Sequence, residues 1–152
     1  MELILWRHAE AEPGEPDLER ALTPGGRRQA AKMAAWLDRK LPSSCRILCS
    51  PALRCRQTAE ALQRKFRIHA DLAPDAGPEQ LLAAAGWPDG REPVLLIGHQ
   101  PTLGQAVALL IAGQAQDWTV RKGGIVWIGQ RDRDGDGNHC YLRAVLAPEL
   151  AK

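Results

Sequence analysis

Apolar residues gather in three short runs, Leu3–Trp6, Ile47–Cys49 and Val94–Ile97, none with the polar alternation of a half-exposed strand. Runs of this length predict strands covered on both faces. A second period follows each run. Ala30, Ala34, Leu37 and Leu41 recur at helical spacing after the first, and Cys55, Ala59, Leu62 and Phe66 after the second. Leu103, Ala106, Val107, Leu110 and Ile111 form the stripe after the third. The helix starts share a grammar. "LTPGG", "CSPAL" and "HQPTL" each place proline where the first helical residue belongs, with Thr23 and Ser50 just ahead as N-caps. A weaker helix is predicted over Pro78–Ala85. The tail, "GGIVWIGQ" and "HCYLRAVL" about a Gly/Asp-rich turn, reads as a hairpin closing one side of the sheet.

Alternating strands and helices predict an α/β fold, doubly wound. Its central sheet is mostly parallel, with helices on both faces and an antiparallel C-terminal strand or hairpin. With no internal repeat and no long linker, residues 1–152 are expected to form one domain. In open α/β sheets, ligands bind beyond the carboxyl ends of the strands. Arg7 and His8 follow the first strand there, Arg54 is expected one turn into the second helix, and His99 follows the third strand. Helix N-termini at the same edge add unpaired N–H groups and partial positive charge. Two arginines and two histidines so placed predict a pocket for a multiply charged anion, a phosphate.

Composition narrows the partners. Apolar residues make up 45% of the chain and charged residues 25%, and 20 Lys+Arg against 18 Asp+Glu leave a net charge of only +2. That balance argues against nucleic acid as partner, and no apolar stretch approaches the length of a membrane span. No secretory signal is visible at the N-terminus, so a cytoplasmic location is expected. Cys45, Cys49, Cys55 and Cys140 form no C-x-x-C pair and are expected to act as small buried hydrophobes. "DRDGDG", Asp132–Gly137, imitates the opening of a calcium loop, but its twelfth position is Arg143 where a glutamate is required, so a hairpin turn is the expectation. The five tryptophans, Trp6, Trp36, Trp87, Trp118 and Trp127, are scattered and predict packing, with Trp87 or Trp118 available for docking on a loop. Thr23 and Thr58 are expected to cap or pack; Arg20 could reach a phosphate from its loop, but a surface role is the expectation; His69 and His139 are expected to have no chemical role.

Four ordered motifs, "RHAEAE", "LTPGGRRQA", "SPALRCRQTAEAL" and "IGHQPTL", resemble those of the histidine phosphatase superfamily, which has the phosphoglycerate-mutase-like fold. The usual R-H-G is here R-H-A, with Ala9 in place of glycine. The short length, "GHQPTL" and the late "VRKGGIVWI" resemble its small SixA-like phosphohistidine phosphatase branch. The resemblance runs from about residue 2 to residue 128. It implies that His8 is the nucleophile accepting the phosphoryl group, that Arg7 and Arg54 hold its oxygens, and that His99 is the second histidine of the pocket. It also implies that no metal or organic cofactor is needed. The partner would be a phosphorylated protein or a small phosphorylated molecule.

The chemistry suits these residue types. Phosphoryl transfer spreads negative charge over three oxygens, so positioning and positive potential do most of the work. Guanidinium forks match two oxygens at once. An imidazole nucleophile must be neutral at its attacking nitrogen, with its other N–H held by a hydrogen bond. The proton donor for the leaving group stays open among Glu10, Asp75 and Glu79, because the resemblance implies that larger relatives take this acid from an insertion absent here. Two other activities fit the same residues: hydrolysis of small phosphomonoesters, and phosphate recognition without hydrolysis. A metal site of His8, His99 and Glu10 matches no ligand spacing.

Overall fold

The computed structural model describes residues 1–131 and 139–151. Six strands form one sheet: β1 (Glu2–Arg7), β2 (Arg46–Cys49), β3 (Arg67–Ile68), β4 (Val94–Gly98), β5 (Ile125–Arg131) and β6 (His139–Leu146), in the order β3-β2-β4-β1-β5-β6. Pairings from β3 to β1 are parallel, and those of β5 with β1 and β6 are antiparallel. The doubly wound, mostly parallel sheet and its C-terminal hairpin are therefore as the periodicity predicts. Residues 132–137, the calcium-loop imitation, lie outside the described residues.

Strand alternation divides the core. Ile4 and Trp6 of β1 pack with Met33, Leu37, Cys55 and Ala59 on one face, while Leu3 and Leu5 pack with Leu81, Leu103 and Ala106 on the other. All four β1 side chains are fully buried, each contributing about 2 kcal/mol of transfer free energy. Helices α1 (Pro24–Lys40) and α2 (Leu53–Glu60) thus cover one face, and α3 (Pro78–Ala85) and α4 (Thr102–Ala112) the other. β1 and β4 are neighbours whose following helices leave to opposite faces. The crevice between their carboxyl ends is the switch point at which such folds bind ligands.

Local chemistry explains where elements begin and end. Thr23 caps α1, its Oγ1 accepting from Gly26 N at 2.8 Å. Gly26 is required here: a Cβ would lie 2.0 Å from Glu10 O, against which the first turn of α1 packs. The other helix starts differ from expectation. α2 begins at Leu53, two residues past Pro51, and Pro101 precedes α4 rather than opening it. Arg54 therefore lies in the first turn of α2, not one turn in. α2 also stops at Glu60 although its apolar stripe continues. Gln63, at φ 57°, turns the chain, and Leu62 and Phe66 reach the same core from the turn before β3.

Cys49 and Cys55 are buried, Cys45 and Cys140 are half-buried, and all four are free thiols. Trp36 meets Trp127 edge-on at 6.2 Å between ring centroids. Trp87 and Trp118, expected as possible docking residues, pack partly against the α3–α4 core. Among the described residues, no helix is long and apolar enough to cross a membrane.

Candidate active site

His8 is fixed by its backbone before its ring acts. Its N–H donates to Gly98 O at 3.1 Å, at the end of β4, and its carbonyl accepts from Gly123 N at 3.0 Å, ahead of β5. Ala9 N in turn donates to Thr58 Oγ1 at 3.1 Å, and Thr58 donates to Arg54 O at 2.8 Å. Thr58 thus ties the nucleophile loop to the arginine helix. Ala9 has no positive φ, and its side chain is buried with Leu22 and Ala30, so this loop does not need the glycine of the usual motif.

The ring's proton can be located. His8 Nδ1 lies 2.8 Å from Ala9 O, and a carbonyl only accepts, so the neutral ring carries its hydrogen on Nδ1 and leaves Nε2 bare. The pKa is pulled down to about 4, by burial first and then by Arg54, Arg7 and Arg20, against the opposing bond to Ala9. A neutral imidazole with a free Nε2 is the form a nucleophile needs.

Two guanidiniums face it. Arg7 donates from Nη1 to Val120 O at 2.9 Å, and burial lowers its pKa. Arg54, only 3% exposed, donates from Nη1 to Asp17 O at 2.8 Å and from Nη2 to Asp17 Oδ2 at 3.1 Å. Each leaves a buried Nε without a partner in the structure. Unsatisfied buried donors on two cations are a stated cost unless an oxyanion completes them. His99 is 4% exposed, its ring centroid 5.3 Å from that of His8, and its pKa falls to about 3 through burial and then the nearby His8 and Arg54. A cavity of about 200 Å³ joins Arg7, His8, Arg54 and His99 with Arg20, Lys122, Gln100, Ala11 and Pro74. All four residues singled out in the sequence thus line one space, with four cationic side chains and, among the described residues, no carboxylate in its lining.

Arg20, expected on the surface, lines this cavity, and Lys122 and Gln100 were not foreseen. Asp17 was also missed; it sits on a strap closed by the Ala11–Leu22 bridge and holds both Arg54 and Arg20. The three acids proposed as proton donors do not reach the cavity lining. Glu10 Oε1 accepts from Thr23 Oγ1 at 3.0 Å, while Asp75 and Glu79 are exposed, although Pro74 beside Asp75 does line it. Asp17 is ionised. Partial burial opposes the charge, but the bonds from Arg54 and Arg20 outweigh it and lower its pKa. His69, expected to have no role, accepts from Asp71 N at 3.1 Å and caps a short turn. Among the described residues, no three His, Cys, Asp or Glu side chains group to hold a metal ion.

Residues 3–76 match the model of the histidine phosphatase superfamily, branch 1. Phosphohistidine phosphatase SixA of Escherichia coli K12 is 32% identical over 123 residues, covering 75% of this chain and 76% of that protein. The chain belongs to the histidine phosphatase superfamily. Its activity class is that of a histidine-dependent phosphatase. A SixA homolog of Haemophilus influenzae is 30% identical over 126 residues, covering 72% of this chain and 77% of that one. Among solved structures, the protein histidine phosphatase SixA complexed with tungstate superposes with a TM-score of 0.77 at 26% identity, covering 97% of each chain. That neighbour carries an oxyanion of phosphate-like geometry.

Proposed function

We propose that this histidine phosphatase removes phosphate from phosphohistidine on a protein, through a phosphoryl group carried on His8 Nε2. Arg7 and Arg54 hold the phosphoryl oxygens, and His99 completes the pocket. In the first step the His8 N–P bond forms as the substrate N–P bond breaks. In the second, water attacks phosphorus, the His8 N–P bond breaks, and the water proton passes to the departing phosphate.

One observation carries the substrate reading: among the described residues, no carboxylic acid lines the cavity. An alkyl phosphate leaves as a strongly basic alkoxide and needs a positioned proton donor. Phosphohistidine brings its own, because its distal ring nitrogen takes a proton near the ordinary histidine pKa, about 6.5, and the ring departs neutral. The relatives named SixA support the same reading.

The test is a phosphoenzyme trap. Mixed with a labelled phosphohistidine protein and quenched in alkali, the enzyme should carry label that is stable to base and released by acid. His8→Ala should carry none and turn over less than about 1% of the parental rate. Turnover by His8→Ala at the parental rate would refute the nucleophile. A higher kcat/KM on sugar phosphates or nucleotides than on phosphohistidine peptides would refute the substrate and leave a phosphomonoesterase. Phosphate-competable binding with no product release would leave a recognition module.

A further inference from the structure

His99 poses a problem of proton placement. Buried and neutral, its ring carries one hydrogen. Nε2 lies 2.7 Å from Ser50 Oγ, and Nδ1 lies 3.4 Å from Arg54 Nη2. A hydrogen on Nε2 would be spent on Ser50, leaving Nδ1 to aim a lone pair at the phosphoryl oxygens. A hydrogen on Nδ1 would serve those oxygens, provided something on the far side donates to Nε2.

Ser50 is built for that. It is fully buried. Its backbone N–H donates to Ile97 O at 3.0 Å, which fixes it beside β4, and its Oγ accepts from Ala52 N at 3.2 Å. The Ala52 bond occupies one lone pair and turns the hydroxyl hydrogen away from Ala52. Cys55 Sγ lies 3.4 Å from the same Nε2, and burial pushes that thiol up to about 12, so it too keeps its hydrogen. That hydrogen is directed at Gly98 O over 3.8 Å, which leaves the Ser50 hydroxyl as the donor for Nε2. On the cavity side, Arg54 Nη2 carries two hydrogens: one goes to Asp17, and the other points at Nδ1 over 3.4 Å, a contact long for a charge-assisted bond that a phosphoryl oxygen would draw away. Two donors side by side there are what a shared oxyanion requires.

We propose that, when a phosphoryl group occupies the pocket and takes the Arg54 hydrogens, the Ser50 hydroxyl donates to His99 Nε2 and so sets the His99 hydrogen on Nδ1, facing that group. Ser50 is a positioning residue, acting through His99. The inference rests on the phosphatase reading above, yet its test needs no turnover. The full-length protein, ¹⁵N-labelled at histidine, is examined by long-range ¹⁵N–¹H NMR with saturating inorganic phosphate, and His99→Gln identifies the His99 signals. The wild-type ring should show a protonated Nδ1 and a bare Nε2. Ser50→Ala should move the hydrogen toward Nε2 and weaken phosphate binding about tenfold, the scale of one hydrogen bond to a charged partner. Ser50→Thr, which keeps the hydroxyl, should restore the parental tautomer. A wild-type spectrum with the hydrogen on Nε2 overturns the proposal, whether or not any variant folds. So does a folded Ser50→Ala that keeps the parental tautomer and phosphate affinity. Loss of the His8 phosphoenzyme with the Nδ1–H tautomer intact would refute the catalytic reading alone.

Discussion

Acidification should weaken the folded state through His8, by an amount that follows from its surroundings. The native pKa is about 4, against about 6.5 in the unfolded chain. At pH 7.5 neither state holds the proton. Between those two values the unfolded chain binds a proton that the native state refuses, so stability present above pH 6.5 is lost as pH falls toward 4. Each unit costs about 1.4 kcal/mol, so at pH 5 the loss from this one ring is about 2 kcal/mol. For a chain of this length that is a fall in Tm of about 4–8 °C. Thermal melts at pH 7.5 and 5, in phosphate-free buffer because a bound anion would itself stabilise the fold, should be compared for wild type and His8→Gln. The variant has no ring to titrate and should lose about 4–8 °C less than wild type between the two pH values. Parallel losses would refute the claim that burial, with Arg54, Arg7 and Arg20, keeps His8 neutral.

Two further outcomes follow from contacts outside the four central residues. Asp17→Ala removes the carboxylate that holds Arg54. A bond to a charged group discounted for the half-exposed Asp17 side chain is about 1 kcal/mol, so kcat/KM on phosphohistidine peptides should fall about fivefold. Unchanged kinetics would show that the strap does not position the guanidinium. Gly26→Ala would place a methyl 2.0 Å from Glu10 O and must push α1 from the nucleophile loop. Overpacking of this kind costs about 2 kcal/mol, read as a lowered denaturation midpoint, and a parental midpoint would contradict the contact.

What the sequence discloses is what periodicity and chain order carry. β1, β2 and β4 are unbroken apolar runs, and Pro78–Ala85 is helical with the bounds its proline and following glycine suggest. Arg7, His8 and His99 are legible because strand ends are legible, and a parallel sheet brings strand ends together. β3 is hidden because two exposed residues have no period. The end of α2 is hidden because a stripe of apolar residues does not reveal the turn at Gln63. Ser50 shows the limit most clearly: a hydroxyl before a proline reads as a cap, yet its partner is a histidine 49 positions away. Arg20 and Lys122 reach the cavity, and Asp17 reaches Arg54 behind it, from segments whose paths no local pattern encodes.

The backbone of His8 is clasped between Gly98 and Gly123, which follow it in the chain by 90 and 115 positions. A growing chain therefore has only the neighbouring Ala9 carbonyl to hold this imidazole, and the geometry is complete only after residue 124, whose carbonyl receives Arg7 N, has left the ribosome. Truncation between residues 100 and 122 should then abolish phosphoryl capture even though Arg7, His8, Arg54 and His99 are all still present.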